Sequence, residues 1–267
     1  MFEAITNRTT FVAAAITATS VAMAAGTAAA RAGAQTIAFD GLQHGQIINN
    51  DTFADQGLTI EAVNFRLPGA SPIIFDTQFI NTADPDLEGP PWAGGNLPID
   101  TVLGNVVIVP ENLVDENNDG IVDDPDDEGA RPAGQLVLSF DQPITAFSFD
   151  LVDIEGVVTE TSTIDFISDE DVIGTVALTE LVDPESQFFD PLLSFGNNTL
   201  NRVGTFNPED FFNGPAGEQS PPVGFDQVVL NLGGSGAIDN LSFGVIPAPG
   251  SAAVLGLAGL AAARRRR

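Results

Sequence analysis

The chain has 267 residues, 37 of them Asp or Glu and 9 of them basic, every basic residue an arginine, for a formal net charge of −28. So acidic a body repels nucleic acid and anionic lipid, which argues against both as its partners. The lack of cysteine excludes disulfides, thiolate catalysis and cysteine zinc sites, and His44 stands as the single histidine.

Residues 1–34 read as a secretory signal peptide. Arg8 supplies the positive start, Phe11 to Ala25 is an apolar stretch rich in Ala and Thr, and small residues follow, with cleavage choices after Ala30, Ala32 or Ala34. From Gln35 the text turns to short runs of alternating apolar residues: "TIAFDG", "GLTIEAVNFR", "GQLVLSF", "ITAFSFDLVDI", "STIDFIS", "DVIGTVALTEL", "FDQVVLNL" and "AIDNLSFGV". Period-2 alternation broken by Gly, Pro, Asn and Asp predicts antiparallel strands with one buried face, about ten to twelve in all. No helical stripe longer than two turns lies between the termini. The expected fold is all-β, a single antiparallel sandwich of jelly-roll type over residues 35–245, with helices confined to the two terminal segments.

Two stretches interrupt the strands. Thr82 to Asp100 is rich in Pro and Gly and reads as a long surface loop. Residues 110–134 form an acidic insertion ahead of the strand at Leu136, and loops of that length carry function or remain disordered.

The insertion holds the sharpest motif, "DENNDGIVDDPD". Asp115, Asn117 and Asp119 alternate, Gly120 permits a sharp turn, the carbonyl of Ile121 is a further donor, Asp123 follows, and Asp126 occupies the closing twelfth position. Oxygens at alternate positions converge on one hard cation, so the pattern predicts calcium as the cofactor. Val122 sits where such loops tuck an apolar residue inward. The stretch resembles the calcium loops of dockerin modules and thrombospondin type-3 repeats, in which an Asp closes the shell. The competing expectation is a solvated acidic loop. Asp124, Asp127 and Glu128 either assist or only raise the local charge.

A second acidic cluster, Asp76, Asp84 and Asp86, lies near Trp92. It suggests another cation site or the edge of a ligand groove in which Trp92 stacks on a sugar ring; alternatively Trp92 packs inward and pins the loop. Asp40 in the first strand and Asp239 in the last form a further candidate pair. His44 has no second His, no Cys and no G-x-S-x-G serine beside it in sequence, so a hydrolase triad is unsupported and the chain is expected not to be an enzyme.

The chain closes with "VIPAPGSAAVLGLAGLAAARRRR". The apolar run from Gly250 to Ala263 is 14 residues, about 21 Å as a helix against a bilayer core of about 30 Å, which is short for a stable span. Four arginines would hold its end on the cytoplasmic side of an exported chain. This order resembles the PEP-CTERM sorting signal, with Pro247 and Pro249 as motif prolines and Arg264, Arg265, Arg266 and Arg267 as the basic end. Ala248 stands where that signature has Glu, which points to a variant system reading Pro-Ala-Pro.

The resemblance implies that residues 246–267 are read by an exosortase-like membrane enzyme. The membrane is then touched only through this segment, and the protein passes to the cell surface or extracellular matrix. The expected function is that of a non-catalytic, calcium-stabilised surface protein. The alternative is a calcium-dependent carbohydrate-binding module for extracellular polysaccharide.

Overall fold

The computed structural model of the chain describes residues 33–156, 161–211 and 223–245. The signal segment up to Ala32, with two of its three cleavage choices, and the whole sorting tail from residue 246 lie outside the described residues. Within them the regular structure is ten strands and four short 3-10 turns, with no α-helix. In chain order the strands are β1 (Gly33–Ile37), β2 (Leu58–Asn64), β3 (Ile73–Asp76), β4 (Asn105–Ile108), β5 (Gly134–Val152), β6 (Thr163–Ser168), β7 (Asp171–Ala177), β8 (Leu200–Phe206), β9 (Phe225–Leu232) and β10 (Ala237–Val245).

All pairings between these strands are antiparallel, and they organise around β5. "GQLVLSF" and all but the last two residues of "ITAFSFDLVDI" belong to one 19-residue strand that bends at Asp141–Pro143, where all three residues are exposed. Its first half runs between β2 and β9, and β6 and β7 extend that layer. Its second half runs between β10 and β8; β1 and β4 share the far edge of β10, and β3 flanks β4. The two halves of the ladder face each other as a β-sandwich.

The core between the layers follows from the alternation. Leu136 and Leu138 point into it from the first half of β5, and Phe147, Phe149 and Leu151 from the second. Phe140, at the bend, meets Phe243 of β10 with ring centroids 5.0 Å apart, and Phe166 of β6 meets Phe206 of β8 at 5.0 Å. Burying each such ring stabilises the fold by about 1.5–3 kcal/mol.

A second hydrophobic cluster covers the other face of the β3–β4–β10 side. It contains Phe75, Val106, Ile108, Val152, Leu200 and Ala237 from the sheet, capped by Leu87, Trp92, Leu103 and Val122 from the connections. The stretch from Thr82 to Asp100 is therefore only partly a surface loop, since it delivers Leu87 and Trp92 inward. Gly95 takes φ +112, and a Cβ there would lie 1.8 Å from the Leu200 carbonyl oxygen, so glycine lets this loop lie directly on β8. The acidic insertion also docks on the body. Val122 is 1% exposed, and its peptide N–H donates to the Gly45 carbonyl at 2.8 Å. Both tucked residues are apolar side chains whose burial offsets the ordering of long connections.

Candidate metal centre

Five pieces of chain converge at one place around four carboxylates. Asp84 caps the 3-10 turn Pro85–Leu87, accepting from the Asp86 peptide N–H at 3.2 Å. That turn is anchored below by buried Leu87 and laterally by Asn198, whose Nδ2 donates to the carbonyls of Asp86 and Glu88. Asp126 and Asp127 lie on a stretch that runs against residues 109–111: Glu111 N–H donates to the Asp126 carbonyl at 2.9 Å, and Glu128 N–H to the Val109 carbonyl at 2.9 Å. Asp153 follows β5 at φ +58, and its Oδ1 accepts from the Asn198 N–H at 2.6 Å. Ser235 and Gly236 come from the connection between β9 and β10.

One ligand atom from each of Asp84, Asp126 and Asp127 lies within 4.8 Å of the others, and Asp84 and Asp127 are buried. Asp127 Oδ2 accepts from the Gly236 N–H at 2.6 Å. The Ser235 hydroxyl lies 2.7 Å from Asp127 Oδ2 and 2.7 Å from Asp153 Oδ2. A hydroxyl has one hydrogen to donate, so it serves one of the two carboxylates; the other contact requires a proton on that carboxyl. Asp84 Oδ2 is buried and accepts no hydrogen bond.

The electrostatics agree with this geometry. Burial, then the charges of Asp126 and Asp153, push Asp84 up to about 7, against the pull of nearby peptide N–H groups. Burial raises Asp126 to about 6, with Glu111 and Asp124 adding to it, and raises Asp153 to about 6 against its hydrogen bonds. Burial and the charge of Asp84 drive Asp127 well above the ordinary carboxylate range despite the donors at Ser235 and Gly236. Like charges crowded away from water need a proton or a cation. The donors are all oxygen, which suits a hard metal ion.

The residues expected from the calcium motif divide. Asp126 enters the buried cluster. Asp115, Asn117, Asp119 and Asp123 stay in an exposed turn that closes on its own backbone: Asp115 accepts from the N–H groups of Asp119 and Gly120 at 3.1 and 2.8 Å, and Asn117 from Asp119 at 2.8 Å. Asp119 Oδ1 accepts from the Ile121 N–H at 2.9 Å, and Asp123 Oδ2 from the Glu116 N–H at 2.7 Å. Gly120 takes φ +87, the conformation expected of it.

The Asp76–Asp84–Asp86–Trp92 group divides as well. Asp84 joins the metal cluster, and Asp86 accepts from Asn197 Nδ2 at 3.0 Å. Asp76 lines a groove of about 550 Å³ together with His44 and Phe79. His44 is half-buried, its Nδ1 accepting from the Asp76 N–H at 2.9 Å, and burial lowers its pKa. Trp92 is 3% exposed, and its indole N–H donates to the Thr101 carbonyl at 2.8 Å. It therefore offers no face for a sugar; of the two expectations for this residue, the inward packing is the one observed.

A separate carboxylate lies on β10. Asp239 is 1% exposed, and neither of its oxygens accepts a hydrogen bond. Burial is the main cause of its rise to about 8, with Asp150 and Asp40 contributing charge; peptide N–H groups of Asn240 and Phe39 lie near and oppose the shift.

The fold and site thus define an all-β, antiparallel sandwich carrying a buried aspartate cluster able to hold a metal ion. No family model matches the chain, and no curated protein matches it in sequence. Among solved structures it matches the K2 cleaved adhesin domain of Lys-gingipain, at 12% identity and a TM-score of 0.33, over 79% of this chain and 99% of that one. Among the described residues no helix is long and apolar enough to cross a membrane.

Proposed function

We propose that this chain is an exported, non-catalytic surface or matrix protein whose loop-bearing end is fastened by calcium at Asp84, Asp126 and Asp127. The observation that carries the metal is the buried carboxylate group in which Asp84 Oδ2 accepts no hydrogen bond. An ion there ties the 82–88 turn, the acidic insertion and, through Ser235, the β9–β10 connection to the sheet. Calcium titration tests it. An ion that binds the native state alone adds about 2.7 kcal/mol at one hundred times its Kd. The melting temperature of the wild type should rise accordingly, and that of Asp126→Asn/Asp127→Asn should not. An equal rise in both overturns the assignment.

Export and sorting rest on the terminal sequences. The N-terminal segment is the proposed signal peptide, and Pro247, Pro249 and the terminal arginines are the proposed PEP-CTERM-like signal for an exosortase-like enzyme. β1 includes Gly33, which pairs with Val245 of β10. Cleavage after Ala30 or Ala32 leaves that strand whole, whereas cleavage after Ala34 removes two of its residues. The expected intact mass of native material begins at Arg31 or Gly33 and ends near Pro249. Retention of Arg267 overturns the sorting proposal.

The glycan-binding alternative moves from Trp92 to Phe79, which is 48% exposed and tilts against His44 with centroids 4.4 Å apart. A polysaccharide-array signal lost on Phe79→Ala would favour it.

A further inference from the structure

Asp239 occupies a break in the edge of β10. Ala237 and Ile238 pair there with β4, and Leu241 to Val245 pair with β1. Asp239 and Asn240 fall between the two neighbours. Asn240 has φ +50, and the ladder to β5 shifts register between Asp239 and Ser242. The notch thus interrupts regular pairing on both sides of the strand.

The residues around it are held deliberately. Asn105, the first residue of β4, donates through Nδ2 to the carbonyls of Phe39 and Leu42 at 3.1 and 2.7 Å. Its peptide N–H donates to Asp40 Oδ1 at 3.3 Å. Gly104 has φ +78, and a Cβ there would lie 2.1 Å from Asp40 Oδ1. A glycine before β4 is thus what allows the Asp40 carboxylate its position just beyond β1.

Directly across the ladder from Asp239 is Asp150, also 1% exposed. The two neighbours contrast sharply in their partners. Asp150 receives Arg202 through Nε and Nη2, and Asn240 Nδ2 at 2.8 Å. Asp239 receives no donor on either oxygen. Arg202 senses both carboxylates but gives its planar fork to Asp150. Asp239 thus lies within reach of two further carboxylates, Asp150 and Asp40, while the direct guanidinium contacts go to Asp150. Both Asp239 oxygens are buried without a donor, so the carboxyl needs a proton or a cation.

We propose that Asp239 and Asp40 bind a divalent cation in the notch between β1 and β4, at a site separate from the Asp84 cluster. The oxygen-only donors select a hard ion of the calcium class over a transition metal. Asp40 is exposed and lines the groove shared by His44, Asp76 and Asn105, which supplies an entry path. The bound ion joins the turn that follows the first strand to the last strand.

The test counts calcium ions bound by the purified protein, using equilibrium dialysis with calcium alone, in the wild type, Asp239→Asn, Asp40→Asn and Asp126→Asn/Asp127→Asn. Asp239→Asn should bind one ion fewer than the wild type, and Asp40→Asn should weaken that ion by at least about tenfold. Adding Asp239→Asn to Asp126→Asn/Asp127→Asn should remove one further ion. Failure of the Asp84 site has a different signature: Asp126→Asn/Asp127→Asn keeps the wild-type count while Asp239→Asn still loses one. Melting in EDTA separates binding from misfolding. Above about pH 8, where apo Asp239 carries its charge, Asp239→Asn removes that buried charge, so its apo melting temperature should equal or exceed that of the wild type. Wild-type counts in both Asp239→Asn and Asp40→Asn overturn the proposal.

Discussion

The turn at 115–123 and the cluster at Asp84, Asp126, Asp127 and Asp153 are both acidic, yet they solve opposite problems. In the exposed turn, carboxylates face water and accept peptide N–H groups a few residues away, so their charge costs little. In the cluster, the same side chain is stripped of water and set beside its own kind, and one oxygen of Asp84 accepts nothing. Desolvation, with Asp84 Oδ2 left without a donor, gives the buried cluster a demand for a proton or a cation that the solvated turn does not share.

The largest expected effect comes from breaking the wall behind the cluster. Trp92→Ala should destabilise the protein by about 3–5 kcal/mol, the range for deleting a buried aromatic ring. Trp92 shares its buried cluster with Leu87, the residue that anchors the turn capped by Asp84. Urea unfolding measures the first effect. Calcium titration of the variant measures the second: its stabilisation by the ion should shrink. An unchanged calcium response would mean that Asp84 is placed independently of the second hydrophobic cluster.

How much of this was legible in sequence depends on what each residue faces. β2, β5, β6, β9 and β10 announce themselves by alternation. β3 and β4 do not, because "IIFD" and "NVVI" are buried on both faces and lose the period. The run "TIAFDG" meets β1 only at Thr36 and Ile37, and the "LTEL" end of "DVIGTVALTEL" is a 3-10 turn beyond β7. β8 carries Asn201 and Arg202 and a glycine at φ +100, none of which favours a strand by pattern. Pro143 reads as a break between two strands, but an exposed bend accommodates it within one. For the site, Asp84 and Asp126 stand out as acidic positions in separate motifs, and nothing in their spacing joins them. Asp153 had one usable signal, a carboxylate placed between Val152 and Ile154, two residues that read as core and are buried. Ser235 had none.

A pH scan sharpens the comparison next. The cluster carboxylates sit at about 6 for Asp126 and Asp153 and about 7 for Asp84, above their ordinary value of 3.8. The folded state therefore holds protons more tightly than the unfolded state. Its stabilisation by them is full below the ordinary value and is lost as pH rises through about 6 and about 7. In EDTA, the melting temperature should climb as pH falls from about 8 to about 5. With calcium saturating at the higher pH, that climb should flatten, because ion and protons relieve the same repulsion. Asp126→Asn/Asp127→Asn should flatten it in EDTA too. An identical pH profile in that variant would place the linkage elsewhere among the acidic residues.

The smallest effect should belong to the exposed turn. Asp115→Ala/Asp119→Ala removes acceptors for the N–H groups of Gly120 and Ile121, which can bond water instead, and one of the two acceptors of the residue 119 N–H, which keeps Asn117 Oδ1. Its cost in EDTA should stay near about 1 kcal/mol, the scale of a solvent-exposed hydrogen bond. Its calcium-induced rise in melting temperature should be reduced less than that of Asp126→Asn/Asp127→Asn. Val122, anchored on Gly45, keeps the insertion docked even when the turn loosens, so Asp126 and Asp127 remain beside Asp84. If instead the turn variant loses the calcium response entirely, the ion belongs to the motif's own loop, and the buried carboxylates are neutralised by protons.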